Sequence, residues 1–190
     1  MSPSLVAFTV DLEQDAPPFF RTWVGMEKGV HLLMNLLDDY GIRATFFSTA
    51  QTVEKFPEVV SEISKKHEVG CHGLRHERLD RIPAMEQMRT IREATERIEE
   101  LTGKKPLGFR APNFKLSSST LRVIEKLGYE YDASRAVYKP YPWLKNPGTV
   151  VEIPNTLPSS VLRLPVGFSE RILRTCLRLF PLVVLDYHPW

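Results

Sequence analysis

Cysteine is scarce in this chain, and its strongly apolar runs are short. The two cysteines, Cys71 and Cys176, cannot build a disulfide scaffold, which favours a reducing compartment. The apolar runs, such as 182–185, fall far short of the roughly 18 residues that a transmembrane helix needs. No charge of one sign dominates. The 25 basic side chains against 23 acidic ones give a net charge of +2, mixed along the chain, which excludes a basic nucleic-acid-binding arm and an acidic disordered tail. The opening residues 1–10 lack a basic n-region and a cleavage site, so a cytoplasmic location is expected. Internal repeats and low-complexity segments are absent too. What the chain does have is 190 residues, 43% of them hydrophobic, enough for one domain over 1–190 with a sizeable core.

Short apolar runs alternate with longer amphipathic stretches. Strands are predicted over 5–10, 44–48, 68–71, 107–109, 129–132, 149–153 and 182–187. Helices are predicted over 26–40, 57–66, 84–101, 117–127 and 169–179. The clearest is 84–101, where Met88, Ile91, Thr95, Ile98 and Leu101 recur at helical spacing and Gly103 follows as a stop. The proline-rich stretch 136–148 carries Tyr138, Tyr141 and Trp143 and reads as a binding loop. Strands alternating with helices argue an α/β fold with a parallel sheet and helices outside it. Periodicity does not choose between an open sheet and a barrel.

Polar residues gather where the strands end, the edge that carries function in parallel α/β folds. Asp11 and Glu13 close the first run, two residues apart and so on one face of a strand. His72 and His76 follow the third, a spacing that sets two imidazoles one helical turn apart and able to grip one ion. Arg110 ends the fourth run, Asp132 the fifth and His188 the last. Each has a plainer reading as a loop cap, ion-pair partner or surface group. Together they supply one hydrolytic site. Two histidines and a carboxylate leave an open coordination position, the pattern of a catalytic zinc rather than a closed structural one. A second carboxylate would serve as general base and a further histidine as general acid.

On these residues the chain resembles the polysaccharide deacetylase family with NodB homology, carbohydrate esterase family four. The resemblance rests on Thr9-Val10-Asp11-Leu12-Glu13, His72-x3-His76 with its lead-in Glu68-Val69-Gly70, Phe109-Arg110-Ala111-Pro112, Tyr131-Asp132-Ala133-Ser134 and Leu185-Asp186-Tyr187-His188. The first motif is Asp-x-Glu where the family's usual form is Asp-Asp, similar to a variant branch. The resemblance implies a distorted (β/α)7 barrel, a divalent metal, usually zinc, and hydrolysis of an N-acyl group on an amino sugar. It implies that Asp11 is the general base, that Glu13, His72 and His76 hold the metal, and that Arg110 pairs with Asp11. It implies that Asp132 orients His188 and that His188 protonates the leaving amine. Asp15 is a rival to Glu13 as ligand. The chain stops two residues after His188, which leaves the barrel open at that seam unless residues continue past Trp190.

The expected partner is a carbohydrate or a lipid-linked amino sugar, not a nucleic acid. Trp23, Tyr141 and Trp143 are candidate platforms for a sugar ring, and Asn113 a candidate hydrogen-bonding partner of substrate. The 169–179 helix sets Leu173, Cys176, Leu177 and Phe180 on one stripe, with Arg171, Arg174 and Arg178 largely off it. Such a helix either packs on the barrel or lies peripherally on an anionic membrane. Competing readings are a non-catalytic glycan- or glycolipid-binding barrel, an amidohydrolase on a small non-sugar amide, and a non-haem iron site, which uses the same ligand types.

Overall fold

All strand pairs in the computed structural model, which describes residues 4–144 and 148–190, are parallel. The first strand, β1 (Leu5–Leu12), leads through a π-helical turn (Gly25–Gly29) into α1 (Val30–Asp39). Next come β2 (Ala44–Ser48), α2 (Ala50–Lys55), α3 (Pro57–Lys66), β3 (Glu68–Cys71) and the long α4 (Ala84–Thr102). After β4 (Gly108–Phe109) follow α5 (Ser118–Lys126), β5 (Tyr131–Asp132) and β6 (Val151–Glu152). The chain ends in α6 (Ser159–Leu162), α7 (Val166–Leu179) and β7 (Leu182–Tyr187). The sheet order is β6-β5-β4-β3-β2-β1-β7. This is a seven-stranded parallel sheet curled into a half-barrel, open between its edge strands. One single bridge crosses that opening, Leu157 to Leu185, while a second, Ala136 to Asn155, extends the β5–β6 pairing.

Five helices, α1, α3, α4, α5 and α7, form where the sequence patterns them. On α4 the stripe Ile91, Ala94, Thr95 and Ile98 is buried, and Gly103 closes the helix at φ 69° while its N–H bonds the Glu99 carbonyl. Ser117 and Thr120 make a reciprocal capping box at the start of α5, two orphan backbone donors satisfied at once. Thr49 caps α2 by accepting from the Thr52 N–H, a short helix that the apolar periodicity does not announce. The main core joins the sheet to α1–α5. A smaller one joins Leu157, Val183 and Leu185 to Leu173, Cys176, Leu177 and Phe180. The apolar stripe of α7 therefore packs, half-buried, against β7. Among the described residues no helix is long and apolar enough to cross a membrane.

The strand ends do converge. The register sets Thr9 beside Asp186 and Val10 beside Tyr187 across β1–β7, Cys71 beside Phe109, and Phe109 beside Asp132. Asp11, His72, Arg110, Asp132 and His188 therefore leave the sheet along one rim.

Candidate metal and acid–base site

Alternation along β1 and just past it turns Asp11 and Glu13 inward, each about 3% exposed. His72 follows β3 and is buried. His76 arrives differently from its expected helical turn. The segment after β3 is a loop, with Gly73 at φ 83° and His76 itself at φ 64°. The loop still brings both imidazoles to one carboxylate. His76 Nε2 lies 2.5 Å and His72 Nε2 3.3 Å from Glu13 Oε2. That oxygen is buried between the two imidazoles. The ligand atoms of Glu13, His72 and His76 all fall within 4.8 Å of one another. His72 Nδ1 donates to the Arg110 carbonyl at 2.8 Å, which orients the ring and leaves Nε2 free to ligate. These donors fit a divalent cation.

Asp11, Asp186 and His188 form a second such trio, but a cation already serves it. The Arg110 guanidinium, fully buried, donates to Asp11 Oδ1 at 2.8 Å and reaches Asp186 Oδ1 at 3.4 Å. Its other donors go to Thr9 Oγ1 at 2.8 Å and the Ala133 carbonyl at 3.2 Å. Asp11 Oδ2 is left facing His72 Nε2 at 3.7 Å and His188 Nε2 at 3.8 Å. His188 Nε2 also lies 3.4 Å from Glu13 Oε1.

Electrostatics follow from this crowding. Burial alone would raise Glu13, but hydrogen bonds with His188, His72 and His76 hold its carboxyl well below the usual range. Burial would lower His72, yet the Asp11 charge and the Glu13 hydrogen bond raise it on balance. His188 is likewise raised, against burial, by Glu13, Asp11 and Asp186. Asp186 is pushed up to about 6 by burial and the Asp11 charge, against Arg110 and His188.

Several expected roles shift. Asp132 is occupied away from His188: its Oδ1 accepts from the Ser134 N–H at 3.2 Å and from the Ser134 hydroxyl, whose oxygen accepts from the Ala111 N–H at 2.7 Å. It braces the Arg110 loop, and burial and Glu152 push it up to about 7. The carboxylate on the His188 strand is Asp186. Its signal was readable, since Asp186 and His188 stand two residues apart as Asp11 and Glu13 do. Thr9, which steers Arg110, carried no chemical signal. Asp15 is not a rival ligand: its carboxylate accepts from Val24 N at 2.7 Å and Gly25 N at 2.9 Å, capping the turn that starts α1. Trp23 is not a sugar platform. It is 6% exposed and packs on Phe56 at 5.4 Å. Tyr141 and Trp143 do stand together, 6.0 Å apart, with Trp143 60% exposed. Asn113 is exposed, at φ 56°. Residues 145–147 of the predicted binding loop lie outside the described residues.

His188 is held from behind. Pro189 and Trp190 rest on the π-helical turn, where a Cβ at Gly25 would meet Trp190 N at 3.2 Å and one at Gly29 would overlap the Pro189 carbonyl. The Trp190 ring lies tilted against His188, with centroids 4.3 Å apart. Gly29→Ala is expected to cost about 1–3 kcal/mol through this overlap, measured by urea unfolding. Gly167→Ala, where nothing lies within 4 Å of the added carbon, should be neutral or mildly stabilising.

The relatives agree with this architecture. A sequence profile of the family described as Polysaccharide deacetylase matches residues 3–131. The peptidoglycan deacetylase of Helicobacter pylori (strain ATCC 700392 / 26695) is 33% identical over 143 residues, 68% of this chain and 49% of that protein. The chain thus spans about half or less of the length of the curated relatives it matches. A crystal structure from Mycobacterium smegmatis, assigned as a polysaccharide deacetylase, superposes with a TM-score of 0.79 at 23% identity over 98% of this chain and 77% of that one. A family four pseudoenzyme from Bacillus anthracis superposes at 0.70 with 16% identity over 99% and 56%. These structures share the fold, and the fold is common to active and inactive proteins. With a family profile covering more than half of its length, the chain belongs to the polysaccharide deacetylase family, a family of metal-dependent carbohydrate deacetylases.

Proposed function

We propose that this protein removes an N-acyl group, an acetyl group in the simplest case, from an amino sugar of a glycan. The observation that carries the reading is the separation of two functions on one rim. Glu13, His72 and His76 converge on one point, while Arg110 holds Asp11 by its other oxygen at 2.8 Å and leaves Oδ2 facing them, 3.7 Å from His72 Nε2. Glu13, His72 and His76 would hold a divalent cation, zinc by donor type, which supplies Lewis acidity toward the amide carbonyl and lowers the pKa of water. Asp11 accepts the proton of the attacking water. Arg110 fixes its carboxylate and keeps Oδ2 turned to the site. His188, raised above its usual range by Glu13, Asp11 and Asp186, carries a proton to donate to the departing amine.

The test pairs elemental analysis of the purified protein with amine release from N-acetylated glycan oligomers. One equivalent of bound metal with amine release supports the reading. A protein that takes up no metal, or a metal-loaded protein that binds glycan without releasing amine, would overturn it in favour of a non-catalytic barrel. Oxygen-dependent turnover on iron would point to a different chemistry.

Metal uptake should also depend on pH. The raised His72 means that its imidazole stays protonated to higher pH than a free one, and a proton there competes with the cation. Affinity is expected to rise with pH through the His72 range, with proton release on binding. Titration calorimetry in buffers of different ionisation enthalpy measures both. A pH-independent affinity would remove His72 from the ligand set.

A further inference from the structure

Next to the rim lies a cleft of about 330 Å³ whose walls include Asp80, Phe114, Lys115, Lys139, Tyr141 and Trp143. It begins one aromatic ring away from Arg110. The Phe114 ring lies 5.6 Å from the Arg110 guanidinium, and the Lys139 ammonium lies 5.0 Å from the same ring. Phe114 is held there by a backbone that a bulky residue rarely adopts. Both Asn113 and Phe114 sit at positive φ, 56° and 55°, a strained pair of the kind that clusters at ligand clamps.

The charge of the cleft is unbalanced. Its one carboxylate, Asp80, is held by Arg78 through two hydrogen bonds of 2.7 and 2.6 Å. Among the described residues, neither Lys115 nor Lys139 belongs to an ion pair within 4.0 Å. The two ammonium groups feel one another: burial and then the Lys115 charge hold Lys139 below its usual range, against the smaller opposing effect of Asp186. Asp80 feels the Lys115 charge but is already held by Arg78, and two cations without a close ion-pair partner beside an aromatic wall match one kind of ligand. A pyranose stacks on the ring faces of Tyr141 and Trp143, and an oxyanion on that sugar pairs with the lysines.

We propose that this cleft is a subsite for an oxyanion-bearing sugar, so that the substrate is an acidic N-acylated glycan rather than a neutral one. The inference rests on the deacetylase reading for its reaction but not for its binding. The oxyanion is either a carboxylate on the sugar ring or a phosphate ester. Three probes separate these: a neutral N-acetylglucosamine tetramer, an oligomer of the same length containing N-acetylmuramic acid, whose carboxylate sits on a lactyl ether of the ring, and a nucleoside diphosphate-N-acetylglucosamine.

The experiment measures the affinity of the full chain for each probe by calorimetry, alongside amine release. The wild-type protein should bind one acidic probe more tightly than the neutral tetramer. The Lys115→Gln, Lys139→Gln double variant should weaken that binding about tenfold, the scale of one charge-assisted contact, and leave the neutral tetramer unchanged. Lys139→Arg, which keeps the charge and the ring contact, should retain most of the preference. Equal affinity for acidic and neutral probes, or equal loss for both in the double variant, overturns the subsite. Lysine-dependent binding without amine release keeps the subsite and removes the deacetylase reading. Amine release with no acidic preference does the reverse.

Discussion

Asp11→Asn is expected to keep the metal and lose about 10²–10⁴ in turnover, the range for removing a general base. The geometry makes this a clean substitution. Asparagine has the shape of aspartate, and its Oδ1 still accepts from Arg110, now 2.8 Å away. What it lacks is a basic oxygen at the position of Oδ2, which faces His72 and His188 at 3.7 and 3.8 Å. Glu13, His72 and His76 are untouched, so metal stoichiometry should match the wild-type protein. The measurement is kcat on the best N-acetylated oligomer together with metal content. Turnover near wild-type would move the base to another carboxylate, and Asp186 stands next in line because the same guanidinium reaches it at 3.4 Å. Loss of metal along with turnover would mean that Asp11 ligates.

Arg110→Met should be the most damaging substitution for the fold, at about 3–5 kcal/mol. Arg110 is fully buried and is the cation between two buried carboxylates, Asp11 and Asp186. Methionine fills part of the volume and leaves both charges without it. The deficit depends on pH with a defined sign. Asp186 is already raised to about 6 with Arg110 in place, and removing the cation raises it further. A carboxyl whose folded pKa exceeds its unfolded one binds more protons in the native state, so stability falls as pH rises through the folded pKa. The variant should therefore be closest to wild-type near pH 5 and weakest near pH 8. Urea unfolding at the two values tests this. An equal deficit at both would show that packing, including the guanidinium on the Phe47 ring at 4.3 Å, outweighs charge.

The two predictions draw on different levels of the molecule. That Asp11, Glu13, His72, Arg110 and His188 share one site is legible from strand ends alone, because a parallel sheet with crossover helices delivers every strand's carboxyl end to one rim. The helix stripes and their glycine and serine boundaries are legible for the same reason: they depend on neighbours within a turn. Alternation likewise settles which side of a strand a residue takes, and so that Asp11 and Glu13 turn the same way.

What lies outside local pattern is which side chain meets which across the rim. Asp132 and Asp186 both follow strand positions with the right chemistry. Sheet order places β7 beside β1 and sets β5 far from both, so Asp186 and not Asp132 stands with Asp11 and His188, and Asp132 turns to Ser134. Trp23 looks like a cleft aromatic until its neighbour is known to be Phe56, and Asp15 looks like a ligand until it is seen closing on the Val24 and Gly25 amides. The histidine pair works from a loop, because the positive φ of Gly73 and His76 returns the chain to Glu13 where helical spacing was expected to do so. Periodicity is written between residues a few positions apart. The pairing of buried charges is a long-range contact, settled by strand order, register and the cost of leaving any of them alone.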